Sequence, residues 1–461
     1  MFEIFENCES VVVEKTVAEN FPKFTPAIVR SPEDMMFPPF VADYFHKDGN
    51  IEKLPILPQR GKAGGVEVGD ILRICGENYL RGHGVSKEQG KVVNRLSVCR
   101  THFLGGHVEE CDSCGYLRNA YNSCRNRHCP KCQGMAKEKW VEARKAELLP
   151  CGYFHEVFTL PHLLNPLILC NRKVLLDLLF ETVNAVLAEF AADPRWRLNG
   201  SIGFIAVLHT WSQTVLDHFH LHCVVPGGAL SFDGERWTPA NEKYLFSSKA
   251  LAKRFKKRFI DALNSLYENG ELEFAGKAES TGSKKGFKTL IRKLWQKEWV
   301  VYSKAPFGGP EAVLEYIGRY THRVAISNNR IVSLKDGKVT FTYRDRQDNN
   351  ELKEMTLDVD EFIRRFLLHV LPERFVKIRY FGFLSHRVKK EAVERIRSLA
   401  DPNFVPPEKL EETAEETMTR LLGEDVCLCP KCRKGRMTKI LELPKPRILQ
   451  RRVRIVVIDT S

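Results

Sequence analysis

The chain has 461 residues, too many for one ordinary hydrophobic core, and its length points to roughly two to four units. At 43% hydrophobic and 28% charged residues, the composition is that of a globular protein and excludes a disordered one. A formal net charge of +13 makes a polyanion the first partner to consider, because a protein that neutralises phosphates gains free energy from released counterions.

The opening MFEIFENCES has neither the basic start nor the apolar run of a signal peptide, so no secretion is expected. Up to about residue 60 seven prolines interrupt any periodic pattern. From Gly69 the spacing of Ile71, Leu72, Ile74, Tyr79 and Leu80, then Val92, Val93 and Leu96, predicts two short helices. A cysteine cluster follows from Cys99 to Cys132, and a helix over 135–149 connects it to the next unit. FHEVFTLP reads as a strand, 170–192 as a long helix, and IGFIAVLHTW and HLHCVVPGG as two neighbouring strands. The apolar stretch 174–192 is broken by Asp177, Glu181, Asn184 and Glu189 and cannot cross a bilayer, so no membrane partner is expected. Residues 248–300 read as helical and basic, and 310–324 as a helix after the Gly308-Gly309-Pro310 break. Asp336-Gly337 supplies the positive backbone angles of a two-residue hairpin turn. A helix at 360–370, a strand at 376–384 and a segment with Cys429-Pro-Lys-Cys432 complete the chain.

Fourteen cysteines at metal-ligand spacing, without an export signal, place the protein in a reducing cytoplasm. Cys111 with Cys114 and Cys129 with Cys132 are two CxxC pairs, the spacing of a structural zinc site. The remaining ligands, Cys99, His107, Cys124 and His128, complete a second site if the pairs alternate in a cross-brace. His102 competes with His107, and Cys99 is alternatively a buried thiol. Arg118, Arg125, Arg127 and Lys131 lie between the ligands, where they can face phosphates. The third CxxC, with Cys427 nearby, is a half-site unless a distant ligand or another chain completes it.

His218, His220 and His222 alternate along an apolar strand, so their imidazoles share one face and can converge on a metal ion. His209, ending the preceding strand, can join His220 and His222 across an antiparallel pair; His218 and Asp217 compete for that third position. Tyr316 and Tyr320 lie one turn apart on a helical face, with Arg319 and Arg323 beside them to hold phosphates. The same spacing also fits a buried core stripe, but Gly318 between the tyrosines suits a close backbone approach.

At CRTHFLGGHVEECDSCG, SCRNRHCPKCQ, FTLPHLLN, LHTWSQTVLDHFHLHCVVPGG, YIGRYTHRVAISNNRI and FLLHVLPERFVKIRYFGFL, the sequence resembles the rolling-circle transposases of the insertion-sequence 91 family, within the HUH endonucleases. The resemblance implies an α+β fold: an HUH-type catalytic domain with a central antiparallel sheet flanked by helices, preceded by a small zinc-binding domain. It assigns the HUH pair to His220 and His222 and the two-tyrosine motif to Tyr316 and Tyr320. It also implies Mg²⁺ or Mn²⁺ as catalytic ion beside structural Zn²⁺, single-stranded DNA as substrate, a 5′-phosphotyrosine intermediate, and a host helicase as a candidate partner. Phe219 stands where the family pattern has proline, which implies altered packing.

The expected organisation is an irregular and helical region (1–95), a zinc-binding domain (96–135), a connecting helix (136–150) and a catalytic domain (151–328) with a basic insertion (231–300). A hairpin-containing extension (329–400) and a CxxC segment with a basic tail (401–461) follow. A transposase nicking and rejoining DNA at element ends, nucleoid-associated in the cytoplasm, is the reading the resemblance favours. A plasmid replication initiator or relaxase shares the chemistry, but the cysteine module and the missing Gly-Lys-Ser/Thr motor loop favour transposition. A non-catalytic zinc-dependent DNA-binding protein is the rival of a different class.

Overall fold

The computed structural model describes residues 65–304, 318 and 321–446, and the backbone of two short strands nearer the amino terminus. Those strands, β1 (Asp43–Phe45) and β2 (Ile51–Lys53), pair as an antiparallel hairpin in a unit of residues 1–57. Everything below concerns the second unit, residues 58–461.

Helices α1 (Val68–Gly82) and α2 (Lys87–Ser97) each start on a capping box, Glu67 with Asp70 and Ser86 with Gln89, which satisfies amides that the first turn leaves unpaired. Their apolar stripes bury Ile71, Leu72 and Tyr79 with Val92, Val93 and Leu96. Strands β3 (Gly106–Cys111) and β4 (Leu117–Tyr121) then form a hairpin. Helix α3 spans Pro130–Lys145, earlier than its apolar pattern predicts. Cys129 is its N-cap and Pro130 its first residue, a position where the missing N–H costs nothing.

The central sheet uses β5 (Tyr153–Thr159), β6 (Gly203–Trp211) and β7 (Asp217–Pro226), with α4 (Asn165–Cys170) and α5 (Arg172–Ala192) between the first two. A small pair, β8 (Gly228–Leu230) and β9 (Trp237–Pro239), precedes α6 (Ser248–Glu268), α7 (Lys284–Gln296) and the edge strand β10 (Val300–Lys304). Strands β11 (Ile331–Lys335), β12 (Lys338–Asp345) and β13 (Glu351–Asp358) form a second sheet and lead into α8 (Val359–Leu367). Strand β14 (Ile378–Gly382) returns to the central sheet, and α9 (Lys389–Ala400), α10 (Ala414–Leu422) and β15 (Met437–Leu443) follow. The central order is β10-β5-β7-β6-β14, with every neighbouring pair antiparallel.

Alternation gives this sheet two different faces. Phe154, Phe158, Phe204, Leu208, Phe219, Leu221 and Cys223 point into the main core, where α5, α6 and α7 cover them. The basic segment 231–300, which composition marks as an insertion, therefore supplies a core layer: Phe255, Phe259 and Ile260 of α6 and Phe287 of α7 lie in that core. The opposite face carries the histidines, beside Val207, Val224, Phe383, Val393 and Val141 of α3. Phe219 is fully buried on the first face, and its carbonyl accepts from the Leu160 N–H, so the departure from proline is absorbed by packing.

Strand β15 is the principal departure from the sequence reading. It pairs antiparallel with β3, Met437 opposite Cys111, which adds the end of the chain to the β3–β4 hairpin. A partner 326 residues away leaves no local signature. Among the described residues no helix is long and apolar enough to cross a membrane.

Candidate functional site

The β6–β7 register sets His209 directly opposite His220, with His222 opposite Val207. One ligand atom from each of His209, His220 and His222 falls within 4.8 Å of the others, and all three side chains are buried. Ring centroids lie 4.4 Å apart for His209 and His222 and 4.9 Å apart for His220 and His222. Burial foremost, then the charge on His218, pushes His220 down to about 3, and burial with neighbouring His209 and His220 holds His222 well below the ordinary histidine range. Both rings are therefore neutral at physiological pH, the form in which imidazole offers a lone pair to a metal.

The hydrogen bonds orient those lone pairs. His220 Nδ1 lies 2.9 Å from the His218 carbonyl, to which only a protonated Nδ1 can donate, so its Nε2 is the acceptor nitrogen. His222 Nδ1 lies 2.8 Å from Nε2 of His155 on β5. Burial, and secondarily Lys304, lowers His155 to about 4, so it too is neutral. Sequence reading passed over His155, although its position in the strand FHEVFT gives it the same side of the sheet as His222. His218 instead approaches Nε2 of His162 at 3.2 Å, and neither it nor Asp217 joins the three-histidine group. His369, buried on the loop after α8, accepts from Thr210 and donates to the Val215 carbonyl, which fixes the ends of β6 and of the turn into β7.

Tyr316, Tyr320 and Arg319 lie outside the described residues, as do 447–461 of the basic tail. Gly318 and Thr321 are described, helical and buried. A Cβ at Gly318 would stand 2.7 Å from Val141 Cγ2 and 3.1 Å from Lys137 Cε, so this turn rests directly on α3. Arg323, just beyond it, is exposed and close enough for its charge to depress His222. Gly318→Val is expected to overpack the contact and destabilise by about 1–3 kcal/mol, with a lower melting temperature; Val141→Ala in the same chain should recover much of it. Additive losses would mean that Gly318 and Val141 do not share the contact.

The cysteines divide differently from the spacing-based expectation. Cys99, Cys124, Cys129 and Cys132 form one group of four; Cys111 and Cys114 join Cys429 and Cys432 in another. The pairing of Cys111 and Cys114 with Cys129 and Cys132 is thus corrected. The reason is geometric: Cys111 and Cys114 sit at the tip of the β3–β4 hairpin, whose base is held beside Arg100 by Asn122, and five residues of strand span about 16 Å. The tip cannot reach the α3 N-terminus. His107 and His128 enter neither group. His107 faces Glu109 at 3.2 Å, while His128 lies near Arg127, Lys377 and His369 with burial lowering it to about 3. Within the first group Sγ atoms stand 3.6 to 3.7 Å apart, close to the ~3.8 Å edge of a zinc tetrathiolate with ~2.3 Å bonds. A signal for the division was present: eight clustered cysteines make two complete tetrahedra without any histidine, and Cys429-Pro-Lys-Cys432 repeats the residues of Cys129-Pro-Lys-Cys132.

The arginines between the ligands also separate. Arg125 is exposed, whereas Arg127 turns inward to the carbonyls of Phe375, Pro372 and Leu371 at 2.5, 2.8 and 3.3 Å. Arg127 therefore ties the first cysteine group to the loop before β14 and is not offered to a phosphate. Arg118 is buried against Glu109 and the Val426 carbonyl.

Comparison with known families matches residues 203–392 to a model described as "Putative transposase" and residues 71–160 to one described as "Transposase zinc-binding domain". The chain is 44% identical over 379 residues to a protein of Sinorhizobium fredii (strain NBRC 101917 / NGR234) named "Putative transposase y4qJ", covering 82% of this chain and 95% of the relative. It is 28% identical over 317 residues to the "Transposase for insertion sequence element IS801" of Pseudomonas savastanoi pv. phaseolicola, covering 68% of this chain and 74% of that protein. No solved structure matches the chain.

Proposed function

Because the chain belongs to the insertion-sequence 91 family of transposases, we propose that it nicks and rejoins single-stranded DNA at the ends of a mobile element, using a divalent ion held by His209, His220 and His222. The observation that carries this reading is the convergence of three buried imidazoles, one ring nitrogen of each lying within 4.8 Å of the others, on the sheet face that the main core does not occupy. Three imidazoles converging from neighbouring strands at this spacing are a donor set suited to one divalent ion. Imidazoles suit several ions, and Mg²⁺ or Mn²⁺ fits with water and phosphate oxygens completing the coordination. Bound there, the ion would polarise the scissile phosphate and stabilise the charge that develops on it.

The chain's own groups do the rest. A phenol of Tyr316 or Tyr320 attacks phosphorus; the new bond joins the tyrosine oxygen to the 5′ side, the P–O3′ bond breaks, and the strand leaves with a free 3′-hydroxyl that takes up a proton. A free tyrosine is only about a thousandth ionised at neutral pH, so its activation depends on the charged surroundings of the phosphate. Arg319 and Arg323 hold the flanking phosphates, and Arg125 extends the basic track from the zinc-binding region. A second tyrosine allows a second cleavage, or exchange of strands, before the first link is released.

His155 is the positioning residue of this centre. For His222 to present Nε2 as a lone pair, its Nδ1 carries the proton and donates to His155 Nε2. His155→Ala is expected to raise the metal concentration needed for half-maximal nicking by about 10–100-fold, while the rate at saturating metal stays near that of the parent. An unchanged metal requirement would remove His155 from the site. The reading as a whole is tested by incubating the protein with end-labelled single-stranded DNA carrying element ends: a covalent adduct on a denaturing gel, formed with Mn²⁺ and absent with EDTA, supports it. Intact, unlinked DNA in both arms would leave zinc-dependent DNA binding without cleavage.

A further inference from the structure

We propose that Cys111, Cys114, Cys429 and Cys432 bind a second structural zinc ion, which fastens the carboxy-terminal segment of the chain to the β3–β4 hairpin and makes the two one module. This proposal is independent of the DNA chemistry above, since neither pair lies at the histidine centre.

Several observations converge on it. Cys111 and Cys432 approach at 3.7 Å, as do Cys114 and Cys429, and all four sulfurs lie within 4.8 Å of one another. Those separations are far too long for a disulfide of ~2.05 Å and close to the ~3.8 Å edge of a zinc tetrathiolate. The geometry repeats that of the first group, Cys99, Cys124, Cys129 and Cys132.

Backbone amides already point at the sulfurs. The Ser113 N–H donates to Cys111 Sγ and the Gly435 N–H to Cys432 Sγ, each at 3.4 Å; the Ser113 bond matches in position that of the Asn126 N–H to Cys124 Sγ in the first group. Such bonds stabilise thiolate rather than thiol. The two knuckles also interlock: a Cβ at Gly435 would stand 2.5 Å from Cys111 Sγ and 2.4 Å from Asp112 Oδ1, so only glycine lets the second knuckle close over the first.

Apolar burial at the site is small among the described residues. Its buried apolar cluster consists of Cys111, Cys429 and Met437, with Tyr116 and Cys432 packed against it. So small a cluster offsets little of the conformational entropy lost on ordering the knuckle, and a structural zinc ion would add the larger stabilising contribution. Lys431, Arg433, Lys434 and Arg436 in the second knuckle offset the negative charge of a zinc tetrathiolate.

The consequence is a topological closure. Strand β15 runs on from the second knuckle to pair with β3, Met437 opposite Cys111 itself, so the same residues join the knuckles and the strands. Removing the segment from Cys427 onward would thus undo a site whose other half lies more than 300 residues earlier.

Zinc content of the purified full chain, measured after exchange into metal-free buffer, decides the matter. The expected count is two ions per chain in the parent. One ion is expected in Cys429→Ser with Cys432→Ser, one in Cys111→Ser with Cys114→Ser, and still one in the fourfold variant, because both pairs serve the same ion. A parent chain with one ion, a Cys429/Cys432 variant with two, or a fourfold variant with none would each overturn the proposal. The parent count does not depend on any variant folding. Cobalt substitution gives a second readout on the same samples, since the thiolate-to-cobalt absorption should fall to half in each variant.

Discussion

Replacing His220 and His222 together by alanine is expected to slow nicking of single-stranded element ends by about 10³-fold or more, equivalent to roughly 4 kcal/mol of transition-state stabilisation. DNA affinity should change little, and zinc content should not change at all. The expectation follows from position: both rings stand on the face of β7 away from the main core, so their loss removes metal ligands without opening that core. Phe219, Leu221 and Cys223, which alternate with them, carry the packing instead. The two measurements together separate catalysis from architecture. An equal loss of binding and cleavage, or a large fall in melting temperature, would make the three-histidine group a structural element.

The second large effect lies in the zinc-binding region. Cys132→Ser is expected to lose one zinc ion and to destabilise the chain by more than about 4 kcal/mol, because the apparent binding free energy of a structural zinc site is of order 10–16 kcal/mol. Cys99 and Cys129 are buried in the same cluster as Ile71, Leu72 and Leu96 of α1 and α2, Phe341 of β12 and Phe362 of α8. Loss of the ion therefore releases contacts across several elements, and Arg127 loses its fixed place against the carbonyls of 371–375. Cys75→Ser, outside both groups, is the control and should keep the parent zinc count. The comparison is read by metal analysis and thermal unfolding; similar melting temperatures for Cys132→Ser and Cys75→Ser would contradict it.

Much of the fold that positions the histidines was legible because its signals are local. His218 to His222 alternate with residues apolar enough to fix the register, and a slip by one residue would have turned Phe219 and Leu221 out of the core. Asp336 and Gly337 do adopt positive φ, 50° and 68°, at the turn joining β11 to β12. The helices α1 and α2 fall where their apolar stripes predict them. What escaped was set by distance. The partners of Cys111 and Cys114 depend on the length of the hairpin that carries them and on a strand arriving from the other end of the chain, neither of which spacing can report. His155 escaped because a lone histidine on a strand has no pattern; only the pairing of β5 with β7 reveals that it meets His222. Arg127 looked like a phosphate ligand by charge and was claimed by backbone carbonyls. The role of Gly318 was readable as a close approach, although its neighbour, Val141 of α3, was not.

The central claim is tyrosine-mediated cleavage served by the histidine centre, and one assay addresses it directly. The parent and a Tyr316→Phe, Tyr320→Phe double variant, matched in zinc content, are incubated with end-labelled single-stranded DNA and Mn²⁺ and resolved on a denaturing gel. The account predicts a covalent protein–DNA band in the parent and none in the double variant, with each single variant retaining the band through the remaining tyrosine or losing it only in part. A covalent band of parental intensity in the double variant would contradict the account, because the nucleophile would then lie elsewhere in the chain.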